Sequence, residues 1–409
     1  AVGVTERQAM FARMRDLARR VAEAYVQQRE ALGFPWLKKD EQLGGGRVDE
    51  QMPVSSSGES ASSHFLFEIG TEELPAADLD SALAQLSERV PALLEEMRLA
   101  YSEIQVFGTP RRLVVSVTGL APRQPDRVSV VKGPPASRAF DAAGQPTKAA
   151  EGFARGRGLA VSDLQVREVD GGRYVVAEVH EQGRPALAVL AEALPGLVAG
   201  LKFDKTTRWN ASGAAFSRPI RWLLALFGDQ VVPFTYAGLS SGRQTRGLRF
   251  NEPETITIRQ AGEYLELLQQ QGIILDPAAR RNTIADQVAR LQREVGAAVD
   301  VDSGLLDEVT HLVEAPTALR GSFDQDHLKL PPEVLISVMK KHQRYFPVHA
   351  ADGRLMPYFI AVRNGSSQHL DVVTDGNEQV IRARFADAAF FINEDLQQKL
   401  EAYLPRLAT

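Results

Sequence analysis

His64-Phe65-Leu66-Phe67-Glu68-Ile69-Gly70 is a short apolar, aromatic-rich run, and it predicts a β-strand at the start of a globular body. Just after it, Leu79, Leu83, Leu86, Val90, Leu94 and Met97 recur at helical spacing across residues 78–101. Pro91 is expected to break or kink that helix, because its ring clashes one turn back. Strands are predicted at 103–107 and 112–118, turned at Gly108-Thr109-Pro110. Gly171-Gly172 separates a strand near 165–169 from another at 174–179, and Gly228-Asp229 separates two further apolar runs. Beyond a strand at 255–258 the pattern turns helical. Asp276-Pro277 reads as N-cap plus first-turn proline of a helix to about residue 295. Helices near 303–313 and 331–342 follow, then a hairpin turned at Asp352-Gly353. A long helix is expected from about Glu378, with Val380, Ile381, Phe385, Phe390 and Leu396 on its apolar side. A strand-rich stretch over 64–250 and a mainly helical one with a hairpin over 251–409 are not the regular alternation of a doubly wound sheet. The expected class is a multidomain α+β fold.

Upstream of the first strand, residues 38–63 (KKDEQLGGGRVDEQMPVSSSGESASS) hold almost nothing apolar to offset the entropy of ordering, and they predict a flexible, protease-sensitive linker. Residues 1–37 predict one isolated helix. Thr5-Glu6-Arg7-Gln8 has the spacing of a capping box, Phe11, Met14, Leu17, Val21 and Tyr25 form an apolar stripe, and Gly33 and Pro35 stop it. The chain opens on Ala1 inside sequence that already reads as helix, so the natural chain is expected to begin earlier.

The composition is that of an ordinary globular chain, at 44% hydrophobic and 24% charged residues over 409, enough to bury a core in each of several domains. The absence of cysteine excludes thiolate metal sites, thiol nucleophiles and disulfide frameworks, and it fits a reducing cytoplasm. No apolar run approaches the roughly 20 residues that cross a bilayer, and no signal peptide is present, so no membrane association is expected. Lys and Arg total 47 against 52 Asp and Glu, a net charge of −5. That balance neither supports nor excludes RNA, because phosphate binding depends on local charge.

No nucleotide-cradling glycine loop with a following lysine is present, and the seven His are scattered without a ligand pair, so no metal site is expected. Asp300-Val301-Asp302 begins like a calcium loop but fails at the glycine position. Gly44-Gly45-Gly46-Arg47 and Gly156-Arg157-Gly158 read as flexible chain and helix end. Asn210-Ala211-Ser212 and Asn364-Gly365-Ser366 match glycosylation sequons without a secretory route to use them. Two basic–aromatic segments remain. The first, over residues 205–222, carries Arg208, Trp209, Arg218, Arg221 and Trp222. The second, over 339–346, carries Lys340, Lys341, Arg344 and Tyr345. Arginine pairs phosphates and aromatic rings stack on unpaired bases, so both suit RNA. A structural alternative stays open for each: tryptophans in a core for the first, and cations complementing a helix C-terminus for the second. Gly242-Arg243 to Arg249-Phe250 is a weaker third case.

Whole segments point further. Phe67-Glu-Ile-Gly-Thr-Glu-Glu-Leu-Pro75, Gly108-Thr-Pro-Arg-Arg-Leu113, Pro146-Thr-Lys-Ala-Ala-Glu-Gly-Phe-Ala-Arg155, Leu305-Leu-Asp-Glu-Val-Thr-His-Leu-Val-Glu314, residues 339–348 and residues 376–391 resemble, in the same order, the beta subunit of bacterial-type glycyl-tRNA synthetase. Val4-Thr-Glu-Arg-Gln8, Val21-Ala-Glu-Ala-Tyr25 and Arg29-Glu-Ala-Leu-Gly-Phe-Pro35 resemble the last helix of its alpha subunit, which implies an alpha–beta fused form. In that family the aminoacylation site, which uses ATP with Mg and glycine, lies in the alpha region upstream of that helix. The resemblance therefore implies no catalytic residue and no cofactor in this chain, which is expected to be inactive by itself. Its implied partners are tRNA-Gly, held near the acceptor arm, and the alpha catalytic region of the same enzyme, within a cytoplasmic homo-oligomer. A purely structural scaffold is the first alternative. An editing hydrolase is the second, and it is disfavoured because a glycine site already excludes larger rivals by size.

Overall fold

The computed structural model describes residues 4–31, 63–141, 144–169, 171–249, 254–399 and 401–402. Two compact units are present, Ala1–Glu59 and Ser60–Thr409. In the first, α1 (Val4–Ala31) is a single helix whose stripe of Phe11, Met14, Leu17, Val21 and Tyr25 is exposed. Asp16 links it along one side to Arg19 at 2.7 Å and to Arg20. The expected linker up to residue 62, the stop at Gly33 and Pro35, and the side chains of the Thr5 capping box lie outside the described residues.

The second unit begins with β1 (Ser63–Thr71) and α2 (Ala76–Glu96), then the antiparallel pair β2 (Glu103–Thr109) and β3 (Arg112–Leu120). A small antiparallel sheet follows from β4 (Arg127–Pro135), and after α3 (Lys148–Arg155) it is completed by β5 (Leu164–Val169) and β6 (Gly172–Glu181) in the order β4-β6-β5. Then come α4 (Ala186–Gly200), the short pair β7 (Thr207–Arg208) and β8 (Ala215–Phe216), and β9 (Ile220–Phe227), β10 (Gln230–Val231), β11 (Thr235–Tyr236) and β12 (Leu239–Gly242). The main sheet runs β11-β12-β9-β1-β3-β2, with β10 paired to β9. β12 lies parallel to β9, whereas β1 is antiparallel to both of its neighbours.

β1 is the central strand and is covered on both faces, so alternation sends its side chains into two cores. Phe65, Phe67 and Ile69 enter one with Leu79 and Leu86 of α2 and Leu190 and Leu194 of α4. Leu66 enters the other, with Val114, Leu224 and Leu226. That second face is closed by residues that follow β13 (Gln244–Arg246) and β14 (Thr255–Thr257): Ile258, and Tyr264 and Leu268 of α5 (Tyr264–Gln270). The boundary expected near residue 250 thus falls inside a shared core.

The remainder is built on a three-stranded antiparallel sheet. In chain order it comprises α6 (Pro277–Glu294), α7 (Ser303–Thr310), β15 (Pro316–Ser322), α8 (Pro332–Ser337), a π-helical turn (Val338–Gln343), β16 (Phe346–His349), β17 (Leu355–Asn364) and α9 (Leu370–Leu396). Asp276 caps α6 by accepting from the Ala278 amide at 2.9 Å, as its sequence predicts. One face of the sheet, with Phe346 and Ile360, meets Ile284 and Val288 of α6 and Leu306 of α7. The other, with Leu319 and Phe359, meets Leu335, Met339, Ile381 and Phe385.

Two helix expectations need correction. Pro91 does not break α2, which continues to Glu96 with Leu86, Val90 and Leu94 on its buried side. Tertiary burial of that face outweighs one missing donor. α9 begins at Leu370, before Glu378, and its apolar stripe is only half used. Ile381 and Phe385 are buried, but Phe390 and Leu396 are 59% and 78% exposed.

Candidate nucleic-acid interface

At the end of the main sheet that carries Gly70, alternation collects an unusual set of side chains on one face. Glu68 and Gly70 of β1, Arg112 of β3 and Trp222 of β9 lie in register, with Gly70 opposite both Arg112 and Trp222. A β-carbon at position 70 would lie 1.9 Å from the Trp222 ring, so glycine is what lets the indole lie across β1.

Glu68, Arg112 and Glu314 are all fully buried. Arg112 donates from Nε to Glu314 Oε1 at 3.0 Å, and its Nη1 lies 3.5 Å from Glu68 Oε1. Glu314 also accepts from the Thr109 hydroxyl at 2.6 Å and lies 3.5 Å from Arg111 Nη1. Thr245 of β13 donates to Glu68 at 2.8 Å, and Arg112 Nη1 donates to the Arg246 carbonyl at 3.0 Å. Burial pushes the Glu68 carboxyl above the ordinary glutamate range, although Arg112 opposes it. Burial acts on Glu314 too, but Arg112, Thr109 and Arg111 together outweigh it and hold that carboxyl below the ordinary range. Arg112, between two carboxylates, is raised despite its own burial. Beside the knot Arg280 is fully buried, which lowers its guanidinium to about 10. It donates to the carbonyls of Thr310, Ile274 and Gly108 at 2.8, 2.6 and 2.9 Å. Charges this deep persist because each is paired or hydrogen-bonded. What they join is sequence-distant: β1, the β2–β3 turn, β13 and the segment after α7.

Above this knot guanidinium groups run from the core outward: Arg112 and Arg111 are buried, Arg246 is half-buried, and Arg221 and Arg249 are exposed. Arg246, Arg112 and Arg111 stack on the Trp222 ring at 5.3, 5.8 and 5.9 Å. Around them Arg249 pairs with Glu72 and Glu73 at 3.1 and 3.0 Å, and Arg221 pairs with Glu72 at 3.3 Å. Arg246 is half-buried and makes no ion pair among the described residues. The result is a cluster of guanidinium groups seated on an indole, with the half-buried Glu72 and the exposed Glu73 at its rim.

The candidate residues distribute unevenly around it. Arg221 and Trp222 belong to the cluster, and so does the weaker third segment, through Arg246 and Arg249. Arg208 is exposed on β7, Arg218 is exposed just before β9, and Trp209 is half-buried against the main core. Trp222 itself is only 9% exposed, so it supports arginines and offers no free face to a base.

In the second segment Lys340 pairs with Asp302, and Arg344 pairs with Glu308 at 2.6 Å. Lys341 is exposed. Tyr345 is 7% exposed, stacked on Phe359 at 4.7 Å with its hydroxyl donating to Asn377, so the expected base-stacking role does not fit its position. No hydrogen bond or ion pair among the described residues joins 205–222 to 339–346. Arg246 lay within the weaker third segment, whereas sequence reasoning missed Glu68, Arg112 and Glu314 as site residues. Their signal was a carboxylate inside an apolar strand and two adjacent arginines after a tight turn, each within a segment that carried the family resemblance.

Residues 65–409 match the family model described as glycyl-tRNA synthetase beta subunit. The chain belongs to that family. It is 49% identical over 343 residues to the glycine--tRNA ligase beta subunit of Moorella thermoacetica, covering 84% of this chain and 49% of that protein. The beta subunit of Desulforamulus reducens is also 49% identical, over 82% of this chain and 48% of its own length. Glycine--tRNA ligase, chloroplastic/mitochondrial 2, of Arabidopsis thaliana is 43% identical over 410 residues, covering 99% of this chain and 38% of that protein. The chain spans about half the length, or less, of these curated relatives. Glu68, Arg111, Arg112, Trp222 and Glu314 all fall within the stretch that matches the beta subunit family. No helix among the described residues is long and apolar enough to cross a membrane.

Proposed function

We propose that this chain is a non-catalytic part of a glycine–tRNA ligase, helping to hold the acceptor arm of tRNA-Gly and supporting the catalytic alpha region. The parent enzyme converts ATP, glycine and tRNA-Gly into glycyl-tRNA, AMP and diphosphate. The ATP and Mg chemistry is assigned to the alpha region, and the working enzyme is a cytoplasmic homo-oligomer. The observation that carries the reading is the arginine cluster on Trp222, which lies within the family-matched residues and whose outer members, Arg221 and Arg249, are exposed to solvent. A fused alpha–beta arrangement is supported by the extent of the Arabidopsis match. It covers 99% of this chain, against 82–84% for the two bacterial beta subunits.

The test is tRNA-Gly binding by the chain as a function of salt. Arg218→Gln with Arg221→Gln removes two exposed cations, Arg221 from the cluster and Arg218 from beside it. Affinity should fall and the salt slope should flatten by roughly 0.7–0.9 for each phosphate left without its cation. The melting temperature should barely move, because surface ion pairs contribute about 0–1 kcal/mol. A scaffold reading is favoured by one specific observation, the pairing of Lys340, Arg344, Arg221 and Arg249 with carboxylates. Unchanged RNA binding with a clear loss of stability in the double variant would establish that reading instead.

A further inference from the structure

Next to the arginine cluster lies a cavity of about 210 Å³ between the loop that follows β17 and the end of β13's extension at Leu248 and Arg249. Arg249, Arg363, Asn364, Ser366, Gln368 and His369 supply its polar lining, and no carboxylate side chain among the described residues is part of it. The loop is held in shape by bonds that leave the cavity open. Asn364 Oδ1 accepts the amides of Glu314 and Ala315 at 2.9 and 3.0 Å, which commits the sequon asparagine to the backbone next to the buried knot. Arg363 donates from Nη1 to the Gln368 carbonyl at 2.8 Å, and it makes no ion pair among the described residues. His369 takes a left-handed backbone at φ 53°, turning the chain into α9. Arg249, held by Glu72 and Glu73, forms the wall shared with the cluster. The lining therefore combines a guanidinium fork that has no carboxylate partner among the described residues with an imidazole, a hydroxyl, two side-chain amides and a second guanidinium. That donor set matches the tetrahedral oxygens of a phosphoryl group better than any apolar or cationic ligand.

We propose that this cavity is a phosphoryl-binding site centred on Arg363, taking its phosphate from an RNA backbone or from a free phosphate. The RNA source rests on the tRNA-facing role proposed for the chain; the anion chemistry does not. If RNA supplies the group, the site extends the binding surface from the Trp222 cluster across Arg249 to the start of α9, and one strand can engage both.

The test uses the full chain with Arg363→Gln, Arg363→Lys and His369→Asn, the last chosen because asparagine tolerates a left-handed backbone. Arg354→Gln, on the β16–β17 turn, serves as a control for the loss of one exposed charge. Two probes are titrated: a tRNA-Gly transcript across a salt series, and inorganic phosphate followed by calorimetry. Arg363→Gln should weaken tRNA binding about tenfold, the size of one charge-assisted hydrogen-bond set, and lower the salt slope by roughly 0.7–0.9. Arg363→Lys should recover the slope but not the full affinity, since it keeps charge and loses the fork. Arg354→Gln should do neither. His369→Asn should weaken binding less than Arg363→Gln, and it keeps the site testable if Arg363→Gln misfolds. Phosphate binding that Arg363→Gln abolishes, in a chain that binds no tRNA, would assign the site to free phosphate and sink only the RNA reading. A wild-type chain that binds tRNA with the slope and affinity of Arg363→Gln, and takes up no inorganic phosphate, would overturn the proposal.

Discussion

Arg112 shows why a buried charge is held and not tolerated by accident. Both its carboxylate neighbours are as buried as it is, so replacing it leaves two anions facing each other in a dry core. Arg112→Met should cost about 3–5 kcal/mol of stability, the usual penalty for orphaning a buried partner, and denaturant unfolding measures it. The two carboxylates differ in pH behaviour. Glu314 is held below its ordinary value of 4.5, so the folded state binds its proton more weakly than the unfolded chain does. Its contribution is fully present above pH 4.5 and is lost as pH falls through the lower folded value. Glu68 is raised, so the folded state gains relative stability when that carboxyl protonates on acidification. In unfolding curves taken from pH 7 down to well below pH 4.5, Glu314→Gln should therefore lose stability at neutral pH and show a shallower acid decline than the parent. A variant with the parent's acid slope would mean that Glu314 titrates alike in both states.

Among the elements, α9 departs furthest from its sequence pattern. Its start is expected near Glu378, yet the helix begins at Leu370 and runs through Gly376; Asn377 is tied back by its side-chain amide to the Val373 carbonyl at 2.6 Å and meets the Tyr345 hydroxyl. Gly376 has helical backbone, and a β-carbon there would meet nothing within 4 Å. Gly376→Ala should therefore raise stability by about 0.5–1 kcal/mol, through reduced unfolded-state entropy and better helix propensity. A thermal melt that stays level or drops would show that this turn needs the glycine. α2 presents the opposite case: its periodicity predicted the helix, and Pro91 does not end it.

For the Ser60–Thr409 unit, the connection between strand-rich and helical parts is the decisive feature. Leu66, Val114, Leu224 and Leu226 of the main sheet bury against Ile258, Tyr264 and Leu268, which come after residue 250. Arg280 and Glu314 reach back to the β2–β3 turn. A chain cut after Arg249 should thus fail to fold cooperatively, exposing one face of β1, β3 and β9. Circular dichroism and tryptophan fluorescence during urea unfolding would show non-coincident, shallow transitions. A sharp two-state transition in the cut chain would make the parts independent domains.

Periodicity alone located β1, the β2–β3 turn, α6 with its Asp276 cap and the β16–β17 hairpin, since each depends on neighbours in sequence: alternation, a proline, a turn glycine. Ordered segment resemblance placed the chain in its family. It could not show that those segments meet. Glu68, Arg112, Thr245 and Glu314 are separated by tens to hundreds of positions, and only strand register and the second core bring them within hydrogen-bond distance. The same holds for the basic–aromatic segments. In sequence Trp222, Tyr345 and their arginines look alike, and burial separates them. Trp222 becomes the floor of an arginine cluster, Tyr345 becomes core, and Arg363, which no local pattern marks, is left facing an open cavity. Burial depends on what the rest of the chain packs against a residue, and no window of sequence holds that information.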